Sequence, residues 1–373
     1  MIMGIDANQG PRRSINALIR GMFRFARAPL PASRLSHLAE YSRRLADAIS
    51  KLLPATCRSA VPSRSVARGL LATASVALAV SSAPASAAAP IPTTPARHVF
   101  DFTGQGAGGL SLPSDVAVNA DGRAYVVDGG NHRVVAFDKN GKYLFAFGQK
   151  GSAAGQFRDP VGIGIDGRGR LYVADKGNHR IQIFGPEGSF QGAFAVTEAG
   201  HAVRPIDVAP DPTGSRIYVT GNNNHRVMEF TANGTPVRAW GEQGEATGQF
   251  RFPASIHVGP SGGVFVVDVL NSRAQGFNSE GTWMVQVGTW GILPGQLFRP
   301  KGLAVDAKGR IFIGDSYMDV IQIFDDEGHF LHVLGNKGTP QRFVSAGGIS
   351  AGPNNRLYVA EMLRNKVSVY VIE

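Results

Sequence analysis

The chain has 373 residues and carries 38 Lys/Arg against 28 Asp/Glu, a formal net charge of +10. The excess is uneven: residues 1–89 hold 12 basic and 3 acidic side chains, whereas residues 90–373 hold 26 and 25. A nucleic-acid footprint needs a basic face on the folded part, so the near-neutral remainder argues against an RNA or DNA partner. The single cysteine, Cys57, lies in the basic segment. The rest of the chain therefore has no disulfide, thiol nucleophile or cysteine-based metal site.

In chain order, residues 1–63 read as a basic leader in which Ser33 to Leu53 can form an amphipathic helix with Leu38, Tyr41, Leu45 and Leu52 on one side. Residues 64–89 read as a signal peptide. Arg64 and Arg68 precede the apolar run Leu70 to Val80, and Ala85-Ser86-Ala87-Ala88-Ala89 offers small-residue cleavage sites. The run is too weakly hydrophobic for a membrane span, and no lipid-anchoring cysteine comes after it. A periplasmic or secreted protein without a span in its mature form is expected; an Ala/Ser-rich linker is the alternative. A signal peptide normally starts near the N-terminus. Either the start is assigned too far upstream, with translation from near Val61 or Val66, or the leader is a long targeting presequence. Residues 90–96 form a linker.

From residue 97 onward the chain repeats itself. Copies open on Pro113, Pro160, Pro205, Pro253 and Pro300, at intervals of about 45–48 residues, and Ala346 opens a sixth, degenerate one. In the second copy the runs Gly162–Ile165, Leu171–Ala174, Arg180–Phe184 and Phe190–Phe194 alternate or are β-rich. Between them stand turns such as Asp166-Gly167 and Pro186-Glu187-Gly188. Short alternating runs separated by Gly- and Asp-rich turns predict four antiparallel strands per copy. The 47 glycines of the chain fit that demand for turns. A four-stranded sheet has two faces to cover and does so by radial stacking, which predicts an all-β, six-bladed propeller over 97–373. The last copy runs out after its third strand, at Tyr370–Glu373. His98–Gly104 resembles the fourth-strand segment Lys142–Gly148, so the N-terminal strand is expected to complete the last blade and close the ring.

Pro-x-Gly-[IV]-x-[IV] followed by Asp-x-x-Gly-Arg-[IL]-Tyr-Val-[AV]-Asp-x-x-Asn-His-Arg-[IV]-x-x-Phe resembles the NHL repeat, best over 160–184 and 113–137. The resemblance covers about Arg97 to Glu373. It implies a six-bladed propeller and leaves function open, because such propellers bind proteins or RNA and some are enzymes. Family members similar to peptidyl-hydroxyglycine amidating lyases hold zinc with histidines just after the blade-opening proline; here those positions read Ser114, Val161, Ile206, Ala254 and Lys301. Lactonase-like members place a metal in the central channel, for which Asp115, Asp207 and His257 are the channel candidates.

No catalytic constellation is legible, and no metal or cofactor is expected. His132, His179 and His225 recur at one repeat position, on three separate blades, so their side chains should not converge. Asp128, Asn131 and Arg133, with Asp175, Asn178 and Arg180, read instead as a structural motif. In it the carboxylate takes turn amides and pairs with the arginine to lock the hairpin. The turns after the second strand are polar in blades 1–3, and in blades 4–6 they present Leu270, Tyr317, Met318, Met362 and Leu363. The loop leaving blade 4 carries Trp290, Ile292 and Leu293 where blade 1 has Lys150 to Ala154. A contiguous apolar face would mark a partner site, and side chains folded back onto neighbouring blades are the alternative. The expected function is a non-catalytic scaffold for a protein, peptide or envelope polymer. The other possibility is a metal-dependent enzyme working at the channel.

Overall fold

A computed structural model describes residues 90–373; the leader (1–63) and the signal-peptide segment (64–89) lie outside the described residues. Six antiparallel sheets succeed one another around a ring. Blade 1 comprises Pro113–Val118, Ala124–Asp128, Arg133–Phe137 and Tyr143–Phe147, innermost strand first. Blades 2 to 5 repeat this from Pro160, Pro205, Pro253 and Pro300. Blade 6 takes Ala346–Gly352, Arg356–Glu361 and Lys366–Ile372 from the C-terminal end and its outer strand, Ala96–Phe102, from the N-terminal end. The first and last strands therefore pair, Ala96 against Ile372, and the ring closes as the repeats imply. Among the described residues, no helix is long and apolar enough to cross a membrane.

Within each blade the alternation feeds two faces, and the core forms between blades rather than inside one. Val127, Val134 and Tyr125 of blade 1 pack on Ile163, Leu171 and Val173 of blade 2, and similar clusters recur around the ring. Every second strand buries an aromatic at one register: Tyr125, Tyr172, Tyr218, Phe265, Phe312 and Tyr358. Each such side chain contributes about 1.5–3 kcal/mol by leaving water. The hydroxyls of Tyr125 and Tyr218 reach the next blade, donating to the Pro186 (2.8 Å) and Ser279 (3.2 Å) carbonyls. Glycine at the hairpin turns is required where backbone and space both demand it. Gly141 has φ +92°, and a Cβ there would meet the Phe100 ring at 3.0 Å.

Blade 5 carries an addition that the repeats do not announce. Thr93–Thr94 pairs in parallel with its outer strand, and Thr94 Oγ1 lies 2.9 Å from His332 Nδ1. This strap covers the exposed edge of blade 5 just before the chain crosses into blade 6.

Candidate functional site

The register places each blade-opening residue opposite the end of its second strand: Pro113 faces Asp128, Pro160 faces Asp175 and Ala346 faces Glu361. The turns after the second strands and the loops between blades therefore share one face of the disc. Each of those turns ends on a residue in the left-handed region: His132, His179, His225, Ser272, Asp319 and Asn365. The recurrent histidine is one solution to that requirement. It also spans blades: His132 Nδ1 and His225 Nδ1 accept the amides of Asp159 (3.4 Å) and Phe252 (3.2 Å). The three imidazoles serve three separate inter-blade contacts and do not converge.

Asp128 lies wholly buried. Its Oδ2 accepts Arg133 Nε (2.7 Å) and Asn131 Nδ2 (2.9 Å), and Asp175 receives Arg180 and Asn178 in the same way. Their Oδ1 atoms take amides of the incoming loop, Ser111 and Arg158, rather than the amides of their own turn that the motif predicts. The turn is already satisfied by its own 3₁₀ bond, which leaves the carboxylate free for the loop. Asp315 does both, accepting Tyr317 and Met318 on Oδ1 and Phe298 and Arg299 on Oδ2. In blade 3, Gly221 supplies no carboxylate. Glu198, from the hairpin between blades 2 and 3, takes its place on Asn224 (3.0 Å) and Arg226.

On this face the apolar candidates divide. Met318 and Met362 are half-buried against their blades. Leu270, Ile292 and Tyr317 stand exposed, as do Trp290 (60%), Leu293 (63%) and Leu363 (67%). Phe298, not singled out in the sequence, joins Trp290 and Tyr317 into one aromatic row, with ring centroids 6.3 and 4.2 Å apart. The loop beneath them is tied together by hydrogen bonds of its own backbone and of two glutamines. Gly291 N donates to Leu297 O, Gln296 N to Leu293 O, Leu293 N to Gln296 Oε1, and Gly295 N to Gln322 Oε1, at 2.8–3.1 Å. The polar loops 149–157 and 242–250 repeat this scheme with Gln156 and Gln182, and with Gln249 and Gln275. The apolar side chains are therefore held outward by a backbone that does not depend on them.

The central channel holds the second set of candidates. Asp115 and Asp207 occupy one ring position, filled elsewhere by Gly162, Ser255, Gly302 and Gly348. The glycines make the room: a Cβ on Gly348 would sit 1.7 Å from Asp115 Oδ1, and one on Gly162 would sit 2.4 Å from Asp207 Oδ1. Each carboxyl bridges two blades. Asp115 accepts Val116 N and Ile163 N (both 2.9 Å), and Asp207 accepts Val208 N (2.8 Å) and Ile256 N (3.0 Å). Ser255 Oγ continues the ring at Leu303 N. The two carboxyls are also neighbours across Gly162. Burial, then the charge of Asp207, holds Asp115 well above the usual carboxylate range. Burial raises Asp207 to about 7, against the pull of its amide donors, Ser255 and Asp115. Each carboxyl of the pair therefore holds its proton more tightly than an exposed carboxylate does.

Burial drives His257 neutral, lowering its pKa to about 4. Among the described residues, the cluster in which three carboxylate or imidazole groups come within 4.8 Å is Asp325, Glu327 and His329, on an exposed blade 5 hairpin.

The comparisons agree with this architecture. The NHL repeat family matches residues 110–137 and 157–184. Over 72 residues the chain is 39% identical to peptidyl-glycine alpha-amidating monooxygenase A of Xenopus laevis, a match spanning 18% of this chain and 8% of that protein. A streptogramin B lyase structure superposes with TM-score 0.55 at 14% identity, covering 74% of this chain and 97% of that one. A gluconolactonase from Xanthomonas campestris gives TM-score 0.54 at 14% identity, covering 76% and 97%. At such identities the likeness speaks for the fold alone. The chain is a six-bladed β-propeller that carries NHL repeats at residues 110–137 and 157–184.

Proposed function

We propose that this propeller is an exported, non-catalytic binding module whose partner is a protein or peptide, docked where blades 4 to 6 meet on the loop-bearing face. One observation carries the reading: the loop 289–297 keeps the hydrogen bonds of its polar counterparts yet displays Trp290, Ile292 and Leu293 to solvent. Folding does not need those side chains there, and a contiguous apolar surface with aromatics is what a partner buries. Export rests on the signal-like segment 64–89, and N-terminal sequencing of the mature protein near Ala87–Pro90 tests it.

The binding test is affinity capture with the full chain and with Trp290→Ala combined with Tyr317→Ala. A protein identified by mass spectrometry with the parent chain and lost with the double variant is the expected outcome. Unchanged recovery overturns the reading.

The second reading, chemistry at the channel, draws on the Asp115–Asp207 pair and on the lyase and lactonase among the similar structures. Against it, all four carboxylate oxygens of the pair already accept backbone amides, and the residues after the opening prolines offer a lysine and no histidine. Stoichiometric zinc or calcium that survives dialysis of the purified chain would favour this alternative.

A further inference from the structure

The segment Phe298-Arg299-Pro300-Lys301 runs from the aromatic row to the mouth of the channel. Its backbone is pinned: Asp315 Oδ2 accepts the amides of Phe298 (2.6 Å) and Arg299 (3.1 Å), and Ser316 donates both its amide and its hydroxyl to the Arg299 carbonyl. Two cations project from this fixed run. Arg299 is exposed and Lys301 is half-buried, and among the described residues neither side chain makes an ion pair or a hydrogen bond. Three other cations on this face are answered, Lys176 by Asp159, Arg251 by Glu245 and Arg364 by Glu361, whereas Lys150, Arg158 and Arg204 stand singly on the loops of blades 1 to 3. The positions equivalent to Lys301 in the other blades are uncharged.

We infer that blades 4 and 5 recognise an acidic peptide segment of the partner, with a carboxylate at Arg299 and Lys301 and bulky apolar side chains along the Trp290–Phe298–Tyr317 row. The inference rests on the binding reading and adds the chemistry of the ligand. Two unanswered cations close enough to repel each other are a local excess on a domain that is otherwise neutral, so they favour a placed carboxylate over polyanions in general. Lys301 carries the cost of that arrangement, its amine pushed below the usual lysine range by burial and then by Arg299. A carboxylate between the two would reverse that shift. A peptide fits better than a lipid surface, because Lys301 is set back at the channel mouth. An extended side chain reaches it and a flat headgroup layer reaches only Arg299.

The test uses the full chain and three short synthetic peptides, of alternating Glu and Leu, alternating Lys and Leu, and alternating Glu and Ser, with titration calorimetry as readout. Vesicles of phosphatidylcholine with phosphatidylglycerol form a fourth arm. The Glu–Leu peptide is expected to bind, and the other two to bind at least about tenfold more weakly. Arg299→Glu combined with Lys301→Glu, checked for retained β structure by circular dichroism, should lose the Glu–Leu peptide by a similar factor and gain the Lys–Leu one. Equal affinity for the Glu–Leu and Lys–Leu peptides, no binding of the Glu–Leu peptide, or binding to vesicles alone overturns the inference. If the charge reversal leaves partner capture intact while the Trp290/Tyr317 variant abolishes it, the binding reading stands and this one falls.

Discussion

The loop leaving blade 1 and the loop leaving blade 4 have the same backbone and opposite surfaces. In both, a glutamine side chain caps the turn from within, and a second glutamine, Gln182 or Gln322, holds the glycine before it from the next blade. At the tips, Lys150, Ser152 and Ala153 give way to Trp290, Ile292 and Leu293. The scaffold is thus carried by residues that do not face solvent, which leaves the tip free to change. Apolar residues there call for an explanation outside folding.

The largest effect expected from breaking this equivalence comes from the carboxylates at the loop bases. Asp175→Ala should cost about 3–5 kcal/mol in urea unfolding, because it leaves Arg180 without its buried partner. Asp315→Ala should cost less, about 1–3 kcal/mol, since Val320 replaces the arginine and no cation is orphaned. Equal losses would mean that the two bases are not held as described. Next comes the tip itself. Trp290→Lys, Ile292→Ser and Leu293→Ala together should weaken partner capture by about 100-fold while shifting stability by no more than about 0.5 kcal/mol. A marked fall in melting temperature would show that the loop does depend on its side chains.

The channel supplies a control that leaves the face untouched. Asp207 gains affinity for a proton on folding, so between its unfolded value near 4 and about 7 the native state binds the extra proton. Stability should therefore fall as pH rises from about 4 to about 7 and level off above that. Asp207→Asn should flatten that slope and leave partner capture unchanged. A steeper slope in the variant would assign the dependence to other groups. The smallest effect sharpens the comparison most directly: Gln156→Ala and Gln296→Ala should each cost about 1 kcal/mol and match one another.

Blade number, strand order and ring closure are legible in the spacing of the opening prolines and the second-strand aspartates, because each marks a register that recurs. The polar-to-apolar switch at Trp290 and Tyr317 is legible for the same reason, since copies can be laid over one another. The contacts made between copies are the part that escapes. Glu198 replaces the carboxylate that Gly221 lacks, from a hairpin that has no counterpart in the repeat. Asp115 and Asp207 look unconnected at their separation in the chain, and meet because Gly162 leaves the space between their blades empty. Phe298 reads as an ordinary loop residue until Trp290 and Tyr317 are brought to either side of it.

The pairing of Ala96 with Ile372 has a kinetic consequence. The strand that completes blade 6 is made before any blade exists, and its partner is made last. During synthesis, or passage of an extended chain across a membrane, the early strand must wait unpaired while five blades assemble behind it. Contacts so distant along the chain form slowly. The strap at Thr93–Thr94 lies beside this strand and binds the edge of blade 5, so it can dock one blade earlier and hold the waiting strand next to the place it will fill. Removing the strap should therefore slow the final step of refolding more than it lowers equilibrium stability.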